Sequence, residues 1–75
     1  MEQPVEISGD MIRLGQLLKL SGAAQDGVHA KALIADGWVS VNGEPELRRG
    51  RQLHAGDLVV VAGIEPAVAY RLRTR

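Results

Sequence analysis

Seventy-five residues make a single domain, 1–75 with its core from about residue 5 to about residue 72, and so short a chain buries only about 60% of the surface it exposes when unfolded, which disfavours a deep active site. Hydrophobic residues at 45% and charged residues at 24% exclude disorder, and the absence of cysteine excludes disulfides, thiolate metal sites and thiol nucleophiles. Formal net charge is zero but unevenly spread: Glu2, Glu6 and Asp10 put −3 on the first ten residues and leave +3 on the remainder.

The opening Met-Glu-Gln-Pro-Val-Glu has neither the basic start nor the apolar stretch of a secretory signal. Nothing approaches the ~20 apolar residues of a membrane span, so a cytoplasmic protein without membrane contact is expected. Pro4-Val5-Glu6-Ile7 alternates as a short strand does, and Ser8-Gly9-Asp10 supplies turn chemistry behind it. Between Ile12 and Leu20, Leu14, Leu17 and Leu18 fall at i, i+3 and i+4, the apolar stripe of a short helix, and Gly22 is placed to end it. Arg13 and Lys19 lie off that stripe. Asp26 is suited to cap a second helix carrying Ala30, Leu33 and Ile34 at the same spacing, with Gly37 as its left-handed terminator.

The period then changes to two. Trp38-Val39-Ser40-Val41 reads as a strand with Val39 and Val41 toward the core and Trp38 on the other face. Asn42-Gly43 predicts a type I′ hairpin turn, since both central positions need positive φ. Pro45 lacks an N–H and belongs at a sheet edge, while Glu44 and Glu46, at i and i+2, read as exposed residues serving solubility. Arg48-Arg49-Gly50-Arg51 is expected to be an exposed loop, Gly56-Asp57 a turn, Leu58 to Val61 a buried strand, and Val68 to Leu72 a last alternating strand. The fold class predicted is α+β: two short N-terminal helices packed on a small, curved, mainly antiparallel sheet.

These residues resemble a known module. Arg13-Leu14-x-x-Leu17, Gly22, Ala30-Lys31-x-Leu33-Ile34-x-x-Gly37-x-Val39-x-Val41-Asn42-Gly43 and Gly56-Asp57 are similar to the RNA-binding domain named after small-subunit ribosomal protein S-four. The arginine run resembles its small free-standing bacterial members. The resemblance implies a helix pair against a curved sheet, the αL motif, with structured RNA bound on the basic side of the helices and the neighbouring loop. Two positions depart from the pattern: Gly15 stands where an acidic residue often follows Arg-Leu, and Asp26-Gly27 where many members have Ser-Arg. What carries over is Arg13, Lys31, Arg48, Arg49 and Arg51 as RNA-binding residues; apart from the resemblance, Lys19, His29, Trp38 and Arg71 are secondary candidates by their own chemistry.

The chemistry of the residues agrees with that implication. Guanidinium groups present a rigid fork of donors suited to phosphate, and Gly50 lets the loop approach a backbone closely. The bland alternative is a solvated loop whose cations meet Glu44 and Glu46 in weak surface pairs. His29 stands three residues from Asp26, but no third ligand is in reach, so no metal or other cofactor is expected. One Trp, one Tyr and no Phe are too few for the aromatic rows of single-strand readers, which leaves shape and phosphate recognition of folded RNA. No P-loop, GxGxxG or catalytic triad is present, and no enzymatic activity is expected.

The partners expected are therefore ribosomal or transfer RNA, and with them the ribosome or an RNA-modifying enzyme, for a monomeric module. A protein-interaction adaptor docking on a ribosomal protein or a modifying enzyme is the competing reading. A β-grasp sulfur carrier shares Val41-Asn42-Gly43-Glu44 and Gly56-Asp57 but needs a C-terminal Gly-Gly where this chain has Thr74-Arg75.

Overall fold

A computed structural model describes residues 2–63 and 66–74. In chain order the elements are β1 (Glu2–Ile7), β2 (Ile12–Arg13), α1 (Leu14–Ser21), α2 (Gly27–Ala35), β3 (Val39–Val41), β4 (Glu44–Pro45), β5 (Gln52–Leu53), β6 (Leu58–Val61) and β7 (Val68–Thr74). Five strands form one mixed sheet in the order β1-β7-β6-β3-β4, and β2 pairs with β5 in a two-stranded ribbon. The molecule is α+β, but its helices do not open the chain: β1 and β2 precede them. The reason is a non-local pairing. The strand predicted around Val5 extends over Glu2–Ile7 and joins the sheet through β7, parallel, with Glu2 opposite Ala69 and Ile7 opposite Thr74. The other three pairings of that sheet are antiparallel.

Each helix is bounded by the chemistry its sequence contains. Gly22, at φ +85°, ends α1 and donates its N–H to the Lys19 carbonyl. Asp26 caps α2, Oδ1 accepting the His29 N–H at 2.8 Å, and Gly37 follows the helix at φ +82°. The apolar faces of both helices, Leu14, Leu17 and Leu18 with Ala30, Leu33 and Ile34, close onto Val39, Val41, Val59, Val61, Tyr70 and Leu72 of the sheet. In β6 the burial alternates, with Val59 and Val61 fully enclosed and Leu58 and Val60 only partly so, as expected for a sheet covered on one face.

The hairpin turn has Asn42 at φ +53° and Gly43 at φ +88°, the type I′ signature, and Pro45 lies on the edge strand β4. Asn42 also ties the hairpin to its neighbour: its Oδ1 accepts the Leu58 N–H at 2.9 Å and its Nδ2 donates to Asp57 Oδ1 at 3.0 Å. No helix among the described residues is long and apolar enough to cross a membrane.

Candidate nucleic-acid interface

The first N–H groups of a helix have no partner within it and must find acceptors elsewhere. In α1 they find them in the arginine loop. Leu14 donates to the carbonyl of Arg51 at 2.9 Å and Gly15 to that of Arg49 at 3.0 Å, while Gln16 Oε1 accepts the N–H of Arg13 at 3.2 Å. The loop is thus fastened by its backbone to the start of α1. β2 pairing with β5, Arg13 opposite Gln52, continues the seam.

That seam brings distant cations together. Arg13, Gly15, Gln16 and Lys19 from the α1 side, Gly27 and Ala30 from α2, and Arg49 and Gly50 from the loop line one groove of about 350 Å³. Three cations face it, and no carboxylate lies on its lining among the described residues. Arg13 Nη1 donates to the Gly50 carbonyl at 3.1 Å, which orients one guanidinium while leaving its other donors free. Arg49 lies across Gly15: a Cβ there would stand 2.6 Å from Arg49 Cγ and 3.1 Å from Cδ. Gly15, the departure from the family pattern, is therefore what admits the Arg49 stem to the helix surface. Gly50 has no such constraint, a Cβ meeting only Arg13 Nη1 at 3.6 Å.

Arg48 and Arg51 are held differently. Glu46, read from the sequence as a solubility residue, is a buried acid, its side chain 8% exposed. Its N–H donates to the Val39 carbonyl at 3.0 Å, which carries the β3–β4 register one residue past Pro45 and sets Glu46 opposite buried Val39, on the core-facing side beside the loop. Its Oε1 accepts Arg51 Nη1 at 2.7 Å, and its Oε2 accepts both Arg48 Nε at 3.2 Å and the Arg48 N–H at 3.1 Å. The hydrogen bonds from Arg51 and Arg48 outweigh burial and bring the carboxyl pKa down to about 2. The pairs predicted as weak surface contacts are thus built on a buried carboxylate, and Glu44 stays exposed. The spacing Glu-x-Arg-x-x-Arg was the available signal for it.

The remaining candidates are dispersed. Lys31 is exposed on α2, one turn after Gly27 and outside the lining of the groove. His29 Nδ1 accepts the Gln25 N–H at 3.1 Å, which commits that nitrogen to the turn before α2. Trp38, 47% exposed, covers Gly63, whose Cα leaves no room for a Cβ against the indole. It follows the C-terminal end of α2, whereas the groove is lined by Gly27 and Ala30 from the first half of that helix, and Trp38 is not on its lining. Arg71, a secondary candidate, and its neighbour on the strand Arg73 stand on β7 facing β1. Arg71 pairs bidentately with Glu2 at 3.0 and 2.9 Å, its hydrogen bonds holding that carboxyl below its ordinary pKa, and Arg73 meets Glu6 at 3.1 Å. Arg75 lies outside the described residues.

Comparison with known proteins places the chain in a family. The family model described as S4 domain matches residues 5–69. A Bacillus subtilis (strain 168) protein named "Probable ribosome maturation protein RlbA" is 46% identical over 63 residues, 84% of this chain and 89% of the relative. "Putative RNA-binding protein YbcJ" of Escherichia coli (strain K12) is 42% identical over 52 residues, 69% of this chain and 74% of the relative. The match runs from β1 into β7 and takes in the helix pair, the Asn42-Gly43 hairpin and the loop fastened to α1; the chain belongs to the S4 domain family.

Proposed function

We propose that this protein is a non-catalytic RNA-binding module that recognises structured RNA by phosphate and shape contacts, with Arg13, Lys19 and Arg49 as the core of the interface and Lys31, Arg48 and Arg51 around it. The observation that carries the reading is the groove at the start of α1, where Arg49 joins Arg13 and Lys19, thirty or more positions earlier in the chain, on a lining that holds no carboxylate among the described residues. The Arg13 guanidinium, oriented by the Gly50 carbonyl, presents its spare donors to phosphate, and a groove between two helices and a loop fits a folded backbone better than an isolated base. Ribosomal RNA is the favoured target and transfer RNA the second, in the cytoplasm. The name of the Bacillus subtilis relative supports a role in ribosome maturation.

Salt titration of binding to purified ribosomal RNA tests the reading. Neutralising about four phosphates gives log affinity a slope of roughly −3 against log salt. Arg13→Glu/Arg49→Glu flattens that slope and abolishes crosslinks to specific RNA sites in cells while the circular dichroism spectrum is unchanged. A flat response in the parent protein, or binding that survives nuclease treatment and the double reversal, would transfer the interface to a protein partner.

A further inference from the structure

The arginine loop has a second side. Beyond Gly50, a groove of about 680 Å³ is lined by Arg48, Gly50, Arg51, Gln52, His54 and Asp57, and Gly50 is the one residue it shares with the groove at the start of α1. The loop is therefore a ridge with Arg13, Lys19 and Arg49 on one flank and Arg48 and Arg51 on the other. Asp57 is the acid on the far lining, and its two oxygens already accept hydrogen bonds from Asn42 Nδ2 and the His54 N–H.

Glu46 explains the far flank. A carboxylate and two arginines in its place cost desolvation energy that well-packed apolar side chains would not, so stability alone is a poor reason for them. What the carboxylate supplies is geometry. It occupies Nε of Arg48 and one terminal nitrogen of Arg51, and both terminal nitrogens of Arg48, whose side chain is 76% exposed, remain available. Two guanidinium groups are set in fixed positions before any ligand arrives, which lowers the ordering cost of binding.

We infer that the loop is a two-sided wedge, its far groove a second phosphate-binding site positioned by Glu46, so that the RNA bound presents two backbone segments at once, as a duplex or junction does and a single strand does not. This rests on the RNA-binding reading above and goes beyond it in naming the partner's form and a positioning residue.

The test compares an RNA hairpin with polyuridylate of equal length. A single strand fills either groove, so Arg49→Gln or Arg48→Gln alone lowers its affinity at most about twofold; the hairpin needs both, and each single variant lowers its affinity about tenfold. Glu46→Gln makes the protein more positive by one charge and still weakens hairpin binding by about threefold or more, while leaving polyuridylate binding equal or tighter. Charge counting alone gives the opposite sign on the hairpin, so tighter hairpin binding by Glu46→Gln overturns the positioning role. Equal losses on the two RNAs for Arg48→Gln and Arg49→Gln overturn the two-sided wedge. Both arginines are exposed, so this arm stands even where Glu46→Gln lowers stability. Failure of the RNA-binding reading itself is distinct: binding to both RNAs would then be unmoved by Arg13→Glu/Arg49→Glu.

Discussion

Two stretches of this chain look alike in sequence, Arg48-Arg49-Gly50-Arg51 and Arg71-Leu72-Arg73, and the fold treats them in opposite ways. On β7 each arginine meets an acid of β1: Arg73 its register partner Glu6, and Arg71 reaching two residues along to Glu2. The −3 carried by the first ten residues is largely consumed there. In the loop, one buried acid serves two arginines, while Arg49 and Arg13 have no acidic partner among the described residues. What separates the two clusters is how many carboxylates the fold brings to each: strand pairing from more than sixty residues away gives each β7 arginine its own acid, while in the loop one acid is shared and Arg49 is left without one among the described residues.

The strongest way to break this comparison is to remove the same charge from each region. Arg13→Gln/Arg49→Gln and Arg71→Gln/Arg73→Gln both make the protein more negative by two, so any long-range effect of net charge is common to them. The first pair is expected to lower affinity for ribosomal RNA at least about tenfold and to reduce the salt slope by about 2. The second is expected to change affinity less than about threefold. Equal losses would mean that overall charge, and not the groove, governs binding.

Acid titration separates the regions by stability. Glu46 has a folded pKa of about 2 against an ordinary value of 4.5. The depressed value means that its contribution is fully present above about pH 4.5 and is lost as pH falls toward 2, because the unfolded chain takes up the proton first. Hydrogen bonds to a charged group put that contribution at about 1.5–3 kcal/mol. Glu46→Gln should therefore unfold at lower denaturant concentration than the parent at pH 7, with the gap narrowing as the pH is lowered to 3. A gap independent of pH would assign the loss to packing.

How much of this was legible in the sequence follows the range of the interactions. The helices, the Asp26 cap, the Asn42-Gly43 turn and Pro45 at an edge are local, set by residues within four positions of one another, and all are where their side-chain chemistry puts them. The grouping of Arg13 with Arg49 depended on the family resemblance, since no local rule joins residues 13 and 49. Neither pattern nor resemblance revealed the β1–β7 pairing or the burial of Glu46. A glutamate two positions along from Glu44 beside an exposed loop reads as solvent-facing, and only the hairpin register, continued by its hydrogen bond to Val39, sets it opposite that buried valine and faces it inward. Gly15 was visible as a departure but not as a contact, because its meaning lies in a side chain thirty-four positions later.

Gly15→Ala sharpens the comparison at that contact. In an exposed helix the substitution ordinarily stabilises by about 0.5–1 kcal/mol. Here the new methyl would stand 2.6 Å from Arg49 Cγ, and an exposed arginine stem yields more readily than backbone. The domain is expected to keep its melting temperature within about 4 °C, while Arg49 is displaced and RNA affinity falls roughly three- to tenfold. Unchanged affinity would show that Arg49 reaches its ligand from more than one path.

The smallest effect is expected at the matched pair. Glu6 and Arg73 are both about half exposed, and an ion pair between two solvated side chains gains little over water while losing rotamer freedom. A double-mutant cycle of Glu6→Gln and Arg73→Gln, read by thermal unfolding, should show a coupling worth no more than about 3 °C, shrinking further in molar salt as screening removes it. RNA affinity should be the same across all four proteins of the cycle within about twofold, because charge that β1 and β7 already share between them is not available to a phosphate. A gain in affinity on Glu6→Gln alone would reveal Arg73 as a cation held in reserve, and the contrast between loop and strand would then be one of degree.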